Sequence, residues 1–481
     1  MTNLSTQAVI AQPVFFSGAA EIDLAALHKL NPQRYPFLLE SVAKGQLGAF
    51  SILMAQPSEA IQLNPQQAPQ IFIERAKQAF AETQTTEIQI RLGDLSATAD
   101  SDQLLQQAQQ LPFKGGWFAY FSYDYAQAIE PVLNLPESQF PLANLTRCHA
   151  GVVLDHLNQQ LWLLLETEHA DLLPEMLAEI EEVLQAPAQI SSHVEIADLH
   201  EENPQKYLDG VKAIKEYILA GDVFQVNLSR LWQANLAEQQ DYLQVYQALR
   251  INNPAPFATL ACLQDQNQQP WQIISSSPER LVKYDYSWVD TRPIAGTRRR
   301  SEDAAADQAL MDELIAHPKE RAEHIMLIDL ERNDLGRICQ PGTVEVNELM
   351  VIESYEHVHH IVSNVRGKLR DGFSPLDIVH ALFPGGTITG CPKIRCMEIV
   401  AELEQMPREA YTGSLGYINL DGSLDLNILI RTLIQNQQEG KQVIQFRAGA
   451  GIVADSDPQF ELVETRHKAR GLLRAFGLQD A

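Results

Sequence analysis

Residues 317–336 read His317-Pro-Lys-Glu-Arg-Ala-Glu-His-Ile-Met-Leu-Ile-Asp-Leu-Glu-Arg-Asn-Asp-Leu-Gly336 and place Glu320 and Glu323 three positions apart. On a helix this spacing projects both carboxylates from one face. Glu461 and Glu464 repeat the spacing near the end of the chain, in Phe-Glu-Leu-Val-Glu-Thr. Either pair alone is typical of a solvated helix face. If the two pairs converge, their like charges require a cation, and an all-oxygen set of ligands suits Mg²⁺.

The overall composition is that of a globular protein with a strong negative charge. The chain has 481 residues, of which 45% are hydrophobic, and its net charge is −26. Nucleic acids and anionic membranes bind basic surfaces, so this charge argues against both as partners. For the same reason, an anionic small substrate must be held by local cations.

Three features favour the cytoplasm. The five cysteines follow no zinc or disulfide spacing, and their odd number suits a reducing compartment. The N-terminal segment Met-Thr-Asn-Leu-Ser-Thr-Gln lacks the basic region and long apolar core of a signal peptide. No apolar run approaches the ~20 residues that a membrane span needs. We therefore expect a cytoplasmic protein that does not enter a membrane.

A polar stretch divides the chain. Residues 186–205 are rich in Pro, Ser and charged residues, which we interpret as a linker or an exposed crossing. Before it, residues 70–112 show a Gln- and Ala-rich helical pattern, and the aromatic run at 117–125 is typical of a packed sheet. After it, residues 207–220 form a helical pattern ended by Gly-Asp, and strands then alternate with helices. The predicted regions are residues 1–190 and residues 205–475.

Two turns carry groups suited to catalysis or binding. Glu279 follows a proline in Ser-Ser-Ser-Pro-Glu-Arg, which by itself is typical of a surface turn. Residues 383–395 join a Gly-rich turn to a helix, where free backbone N–H groups with the hydroxyls of Thr387 and Thr389 predict a carboxylate or phosphate cradle. A third segment, residues 292–300, ends in three consecutive arginines and by itself predicts a solvated cationic loop.

A glycine-bearing strand and two cations complete the candidate site. Phe-Arg-Ala-Gly-Ala-Gly-Ile-Val places Gly449 and Gly451 on one strand face, where glycine leaves room for a ligand. Arg431 and Lys468 are the fixed positive groups. Together these features predict a small dicarboxylate ligand with one carboxylate on a metal ion. The residues alone do not name a reaction.

Taken together, the segments resemble the chorismate-utilising enzymes, which include anthranilate synthase component I, aminodeoxychorismate synthase component I, isochorismate synthase and salicylate synthase. The resemblance is strong over residues 205–475 and rests on six motifs: Phe-Gln-Val-Asn-Leu-Ser, Ser-Pro-Glu-Arg, Pro-Ile-Ala-Gly-Thr, the segment at 319–334, Gly-Gly-Thr-Ile-Thr-Gly-Cys-Pro-Lys and Arg-Ala-Gly-Ala-Gly-Ile-Val-Ala-Asp-Ser. Residues 20–165, with Leu-Leu-Glu-Ser, resemble the N-terminal domain of the amino-transferring members. The resemblance implies an α+β fold with two packed antiparallel β-sheets and helices on the outside.

The resemblance also implies a role for each matching residue. Glu323 and Glu464 would bind Mg²⁺ directly, with Glu320 and Glu461 behind them, and the metal would act as a Lewis acid toward the ring carboxylate of chorismate. Glu279 would be the general acid that protonates the leaving 4-hydroxyl. The substrate would be surrounded by Gly296, Thr297, Thr387, Tyr411, Arg431, Gly449, Gly451 and Lys468.

The position of Gln225 favours ammonia over water as the nucleophile. The members of the family that add water carry a lysine base there, whereas ammonia attacks without being deprotonated. Two alternatives remain within the ammonia branch. Ala295 replaces the lysine that is frequent in aminodeoxychorismate synthases and matches the anthranilate synthases. The segment Asn253-Pro-Ala-Pro-Phe-Ala-Thr259 and the Gly-Gly-Thr-Ile-Thr-Gly turn instead favour aminodeoxychorismate synthase component I, which is our prediction.

The resemblance implies a partner and a second binding site. The chain lacks the Gly-x-Cys-x-Gly elbow of class I glutaminases, so ammonia would come from a separate glutamine amidotransferase subunit. By pattern alone, the segment Leu39-Glu40-Ser41 is a strand edge. By resemblance, it is a candidate tryptophan pocket.

Overall fold

The computed structural model describes residues 7–43, 48–85, 88–94, 100–186, 189–237, 240–354 and 358–478, with every side chain of these residues except that of Lys319. The strands are β1 (Gln7–Val14), β2 (Phe37–Glu40), β3 (Phe50–Leu63), β4 (Ile88–Leu92), β5 (Gly116–Phe121), β6 (Ala143–Asp155), β7 (Gln160–Glu166), β8 (Ile196–Glu201), β9 (Gln225–Leu236), β10 (Phe257–Gln264), β11 (Pro270–Ser277), β12 (Arg280–Tyr284), β13 (Val289–Thr291), β14 (Ile294–Arg299), β15 (Glu345–Ser354), β16 (Val358–Gly367), β17 (Gly390–Cys391), β18 (Ser414–Asn419), β19 (Leu424–Asn427), β20 (Thr432–Gln438) and β21 (Lys441–Ile452). The helices are α1 (Leu24–Leu30), α2 (Pro69–Thr83), α3 (Ser101–Gln109), α4 (Ala126–Ile129), α5 (Leu173–Gln185), α6 (Pro204–Ala220), α7 (Tyr242–Asn252), α8 (Ala304–Ala316), α9 (Pro318–Gly336), α10 (Pro375–Leu382), α11 (Lys393–Glu404) and α12 (Pro458–Ala475).

Two sheets share strand β6. In the first, the hydrogen-bonded order is β8-β9-β21-β20-β11-β10-β2-β3-β6. In the second, it is β6-β5-β18-β19-β12-β13-β16-β15. Among the described residues every strand pairing is antiparallel except that of β1 with β4. The predicted α+β class with antiparallel sheets is confirmed.

The N-terminal region supplies strands to both sheets. In the first sheet, β2 pairs with β10, so that Glu40 lies opposite Ala258. In the second, β5 pairs with β18 along its whole length. The aromatic run is sheet core as predicted, because Trp117, Phe118 and Tyr120 are at most 2% exposed. Burying one such ring contributes about 2 kcal/mol. The sheets therefore hold the two predicted regions together through backbone hydrogen bonds and a common core.

Local patterns predicted some elements and missed others. Helix α6 ends at Gly221, whose φ of 85° places it in the left-handed region, as the Gly-Asp signal indicates. The helical prediction for residues 70–112 is wrong at Ile88–Leu92, which forms β4 beside β1. Residues 86–87 and 95–99 of that stretch lie outside the described residues. The linker prediction for residues 186–205 is wrong at β8, which pairs with β9. Residues 187–188 of that stretch lie outside the described residues. Short strands of mixed polarity carry too little periodicity to be recognised.

The prediction of a solvated cationic loop at residues 292–300 is also wrong. Most of this segment is strand β14, which pairs with β16. Three of its arginines form ion pairs: Arg292 with Glu348 and Glu353, Arg298 with Glu313 and Glu320, and Arg300 with Asp307. Tertiary contacts with α8, α9 and β15 supply these acids, and no local pattern reveals them.

Two of the crossings that the chain makes between the two sheets lie side by side. Pro278 and Glu279 connect β11 of the first sheet to β12 of the second, and residues 428–431 connect β19 back to β20. The backbone N–H of Ile428 donates to the carbonyl of Glu279 at 3.0 Å. The N–H of Ser276 donates to the carbonyl of Arg431 at 3.1 Å. These bonds bring Glu279 and Arg431 together, although they are far apart in sequence.

Candidate active site

Glu279 is a buried acid in a positively charged environment. Its side chain is 6% exposed, and its Oε1 has no hydrogen-bond partner among the described residues. Burial raises the pKa of Glu279 to about 7, although the Thr387 hydroxyl and the charges of Arg431 and Lys468 each act to lower it. A carboxyl group with a pKa near neutrality can both hold and release a proton at physiological pH, as a general acid must.

Arg431 faces Glu279 from the second crossing. Its φ of 53° is unusual for a residue with a side chain, and the backbone bond to Ser276 holds it there. Burial lowers the pKa of Arg431 and the charge of Glu279 raises it, yet a guanidinium keeps its charge in proteins. Within the described residues it forms no salt bridge of its own. A partly buried, charged arginine that forms no salt bridge is suited to bind a carboxylate of a ligand.

The two glycines of β21 make room for protein side chains. A Cβ on Gly449 would lie 2.9 Å from both Asn227 Oδ1 and the hydroxyl of Tyr411. A Cβ on Gly451 would collide with Nε2 of Gln225. The sequence predicted that these glycines leave space for a ligand. The structure shows that Gln225, Asn227 and Tyr411 use this space to reach the face of the strand.

Several buried polar atoms in this region lack hydrogen-bond partners within the described part of the chain: Gln225 Oε1, Asn227 Oδ1, Glu279 Oε1 and Thr387 Oγ1. Backbone bonds connect the elements that bear them, since the N–H of Asn227 donates to the carbonyl of Thr389 at 3.0 Å. Buried polar groups are nearly always hydrogen-bonded, so a cluster of unpaired ones indicates a place where a ligand supplies the partners.

The Gly-rich turn contributes one hydroxyl to this cluster. It forms a short 3-10 turn at Gly386–Ile388 that leads into β17 and α11. The Thr389 hydroxyl donates to the carbonyl of Gly385 at 3.0 Å, and this hydrogen bond stabilises the turn. The Thr387 hydroxyl forms no hydrogen bond of good geometry within the described residues, although it lies near enough to Glu279 to lower the pKa of that carboxyl. Of the two threonines predicted to form a cradle, only Thr387 is available to a ligand in this arrangement.

Ala295, Gly296 and Thr297 lie together on β14, beside His360 of β16. Ala295 is 8% exposed, and the Thr297 hydroxyl is 2.9 Å from Nδ1 of His360. Burial and the nearby charge of Arg431 lower the pKa of His360 to about 4, and this imidazole is therefore neutral at pH 7. Sequence reasoning did not single out His360 or Asn227. The only local signal for the histidine is the consecutive pair His359-His360 near the start of β16.

Position 296 requires glycine for two reasons: its backbone conformation and the closeness of the Glu320 side chain. Its φ is +69°, and a Cβ there would collide with Oε2 of Glu320 and lie 2.9 Å from Leu314. We expect Gly296→Ala to destabilise the fold by more than the ~1 kcal/mol that a left-handed alanine costs, and to lower turnover. Gly221→Ala is the matched control, because Gly221 has a φ of +85° with nothing within 4 Å. Equal thermal destabilisation of the two variants would contradict this account.

The two acidic pairs lie on α9 and α12, and each carboxylate has different neighbours. Oε1 of Glu320 accepts from Arg298 at 2.7 Å, whereas its Oε2 is buried without a partner. Oε1 of Glu461 accepts from the Ser456 hydroxyl at 2.7 Å. Glu464 lies 3.9 Å from Nζ of Lys468. In the residues that the structure covers, no three His, Cys, Asp or Glu side chains form a ready metal cluster.

The acids on α9 and α12 nevertheless offer the type of ligand atom that a hard cation binds. All of them offer carboxylate oxygens, which Mg²⁺ prefers, and Mg²⁺ commonly takes only one or two carboxylates together with ligand oxygens and waters. The unpaired Oε2 of Glu320 is suited to a metal-bound water. A preformed cage is therefore not needed for binding.

A cavity of ligand size has a lining that does not include Glu279. It has a volume of about 430 Å³, and its lining includes Leu39, Glu40 and Ser41 from the N-terminal region. Arg280, the neighbour of Glu279 in sequence, also lines it and forms a bidentate pair with Asp425 at 2.8 and 2.9 Å. The segment predicted as a second binding site thus opens onto a cavity of ligand size.

Comparison with known proteins identifies the family. The profile of a family described as chorismate binding enzyme matches residues 35–474. The chain belongs to the chorismate-binding enzymes. Aminodeoxychorismate synthase component 1 of Bacillus subtilis is 43% identical over 381 residues, covering 76% of this chain and 78% of that protein. Anthranilate synthase component 1 of Synechocystis is 36% identical over 498 residues, covering 96% and 95%.

Solved structures agree with this assignment. Anthranilate synthase component I from Streptococcus pneumoniae superposes with a TM-score of 0.71 at 29% identity, covering 88% of this chain and 92% of that one. The menaquinone-specific isochorismate synthase of Escherichia coli shares the fold, with a TM-score of 0.68 at 18% identity over 98% and 96% of the two chains.

Within the described residues of the present chain, no helix is long and apolar enough to cross a bilayer.

Proposed function

We propose that the chain aminates chorismate with ammonia to 4-amino-4-deoxychorismate, as component I of an aminodeoxychorismate synthase. The observation that supports this reaction most is the burial of Glu279, which raises its pKa to about 7 although the charges of Arg431 and Lys468 act to lower it. Chorismate is a dicarboxylate with a 4-hydroxyl leaving group. The two cations are suited to its carboxylates, and Glu279 to the hydroxyl.

The chemistry needs one proton delivered and one returned. Glu279 donates its proton to the 4-hydroxyl, the C–O bond breaks, and water leaves. Ammonia forms the new C–N bond with its lone pair, and the resulting ammonium group gives up a proton that restores Glu279. Gln225 cannot act as a base, which suits a nucleophile that needs no deprotonation. The unpaired amide oxygen of Gln225 is free to accept a hydrogen bond from ammonia.

Magnesium is part of the proposal. Glu323 and Glu464 would hold the ion, with Glu320 and Glu461 supporting them through water. A bound Mg²⁺ supplies Lewis-acid stabilisation to a carboxylate of the substrate. The residues of the chain would orient chorismate around that contact: Gly296, Thr297, Thr387, Tyr411, Gly449 and Gly451 would line the substrate pocket.

Two observations support 4-amination in particular. The segment Ala255-Pro256-Phe257 resembles the Ala-Pro-Phe pattern of aminodeoxychorismate synthases, and its Pro256 and Phe257 line the 430 Å³ cavity. The Bacillus subtilis relative named for that activity shares 43% identity. Two observations favour anthranilate synthase instead. Ala295 replaces the expected lysine, and the Synechocystis relative named for that activity matches nearly the whole chain. A non-catalytic chorismate-binding homologue is the third alternative, and the intact acid Glu279 argues against it.

The test is the product formed from chorismate, Mg²⁺ and ammonium by the purified chain. A product with the mass of chorismate plus ammonia minus water supports the proposal. Fluorescent anthranilate supports the alternative activity. Absence of any metal-dependent turnover supports the non-catalytic homologue.

The source of ammonia gives a separate prediction. The candidate elbow Gly390-Cys391-Pro392 lacks the second glycine of a glutaminase, and Pro392 lacks an N–H for an oxyanion hole. We expect turnover with ammonium but not with glutamine unless an amidotransferase subunit is added. The measurement compares the two nitrogen sources with the isolated chain. Glutamine-driven turnover by the pure chain would contradict the prediction.

The large cavity is the proposed second site. Leu39, Glu40 and Ser41 would form part of a tryptophan pocket. Glu40 is held by the Tyr246 hydroxyl at 2.6 Å and by Arg250 at 3.2 Å, so its carboxylate is already oriented.

A further inference from the structure

A second and much smaller cavity adjoins the candidate active site. It has a volume of about 40 Å³, and its lining includes Tyr411 together with the exposed residues Gln139 and Met406. Since a cavity of about 10–15 Å³ holds one water molecule, this one has room for a molecule of about four non-hydrogen atoms. The cavity is therefore too small for chorismate and large enough for a small organic ion.

Two buried arginines line this cavity and share a single acid. Arg408 is 2% exposed and Arg447 is 3% exposed. Arg408 donates to both carboxylate oxygens of Glu404, at 2.7 and 3.0 Å. Nη1 of Arg447 donates to Oε2 of the same glutamate at 3.2 Å. In the part of the chain that the structure describes, no other acid forms an ion pair with either arginine. One carboxylate thus faces two guanidinium charges.

The two arginines differ in how their N–H groups are used. Each nitrogen of the Arg408 guanidinium has an oxygen partner, among them the carbonyl of Asn227 at 2.6 Å. Nη1 of Arg447 donates to the Ser229 hydroxyl at 3.1 Å as well as to Glu404. Nη2 of Arg447 is buried and has no partner among the described residues. A buried donor without a partner is costly, so Arg447 is the group that a ligand of this cavity would satisfy.

Two further acids lie close to the arginines but are bound to other groups. Asp124 accepts from the backbone N–H of Glu409 at 2.8 Å, and Glu409 Oε1 accepts from the backbone N–H of Gln139 at 2.7 Å. Burial raises the pKa of both carboxyl groups, although the charge of Arg447 acts to lower that of Asp124. Glu409 also lines the cavity. Neither acid contacts the Arg447 guanidinium, so neither supplies the partner that Nη2 lacks.

The rest of the lining indicates the class of ligand. Apolar residues form part of the wall: Leu231, Met406, Pro407, Ile434 and Phe446. A guanidinium group binds a carboxylate through charge-assisted hydrogen bonds. A ligand with one carboxylate and a short apolar end therefore matches both parts of the cavity.

We propose that this cavity binds a small monocarboxylate of the size of acetate, whose carboxylate pairs with Nη2 of Arg447 and whose carbon end contacts the apolar wall. The site is distinct from the one proposed for chorismate, and it does not depend on the proposed reaction. It lies close to that pocket, because Gly449 follows Arg447 on the same face of β21 and a Cβ there would lie 2.9 Å from the Tyr411 hydroxyl. Thr432, which also lines the cavity, directly follows Arg431.

Saturation-transfer NMR on the methyl group of acetate tests the site directly. Arg431 can also bind a carboxylate, so the experiment uses Arg431→Gln as the parent chain. We expect this parent to transfer saturation to acetate and the double variant Arg431→Gln/Arg447→Gln to lose the transfer. Arg395→Gln in the same parent is the matched control, because Arg395 pairs with Asp222 and Glu398 at the surface and should not affect acetate.

A second variant keeps the test valid if loss of Arg447 disturbs the fold. Gln139→Trp places a large ring at an exposed position of the lining and leaves Arg447 unchanged. We expect this variant also to lose the acetate signal. Transfer that persists in both variants, transfer to neutral acetamide as strong as to acetate, or no transfer in the Arg431→Gln parent would overturn the proposal.

Thermal unfolding of the unsubstituted chain gives an independent measurement without turnover. Replacing chloride by acetate at ten times its dissociation constant should raise the unfolding midpoint by about 1–3 °C, because the ligand binds only the folded chain. Arg447→Gln should show no such rise, and an equal rise would overturn the proposal. A chain that binds acetate at Arg447 but consumes no chorismate would refute the proposed function alone. Normal turnover without acetate binding would refute this site alone.

Discussion

Glu279→Gln is expected to lower kcat for chorismate turnover by about 10²–10⁴-fold, the usual loss for a missing general acid. Glutamine matches glutamate in size, so the pocket should keep its shape, but it has no proton to give to the leaving hydroxyl. The measurement is kcat with saturating chorismate and ammonium, together with chorismate affinity by calorimetry. Affinity should change little.

The control for this variant is Glu82→Gln, the same substitution on an exposed face of α2. It should leave both kcat and affinity unchanged. If Glu279→Gln instead lost affinity for chorismate while keeping its maximal rate, Glu279 would be a substrate contact and not the acid.

The second large effect concerns the metal. Glu323→Gln and Glu464→Gln are each expected to weaken Mg²⁺ binding and nearly abolish turnover, because each variant removes a charged oxygen ligand. Calorimetric titration of Mg²⁺ in the presence of chorismate measures the first effect, and turnover at limiting Mg²⁺ measures the second. Asp329→Asn on the same helix should behave as wild type in both.

Near-normal activity of either variant at limiting Mg²⁺ would contradict the metal assignment. The structure gives this test particular value, because Glu320 is bonded to Arg298 and the acids on α9 and α12 do not form a ready cluster in the described residues. Binding of Mg²⁺ and chorismate would therefore have to bring the acids of α9 and α12 together.

Local sequence signals predicted the elements that carry the site. Helix α9 begins at Pro318, as expected for the first position of a helix. Helix α12 begins after Asp457, which accepts hydrogen bonds from the N–H groups of Gln459 and Phe460. Gly296 and Gly451 marked positions where a side chain would collide with Glu320 or Gln225. Such features depend on a few neighbouring residues and can be recognised without the fold.

Other features of the site depend on the fold. Burial raises the pKa of Glu279 to about 7, and that burial depends on the tertiary structure around the crossing from β11 to β12. His360 was missed because its low pKa depends on burial and on the nearby charge of Arg431. Nothing local distinguishes a buried acid such as Glu279 from a solvated one. Long-range contacts supply that distinction.

The central claim is that ammonia replaces the 4-hydroxyl and that the enolpyruvyl group stays on the ring. The most direct test is the amount of pyruvate released per chorismate consumed, with ammonium and Mg²⁺ present. We predict no pyruvate from the chain alone, with 4-aminobenzoate appearing only after a lyase is added. Stoichiometric pyruvate together with fluorescent anthranilate would contradict the claim and assign the chain to anthranilate synthesis.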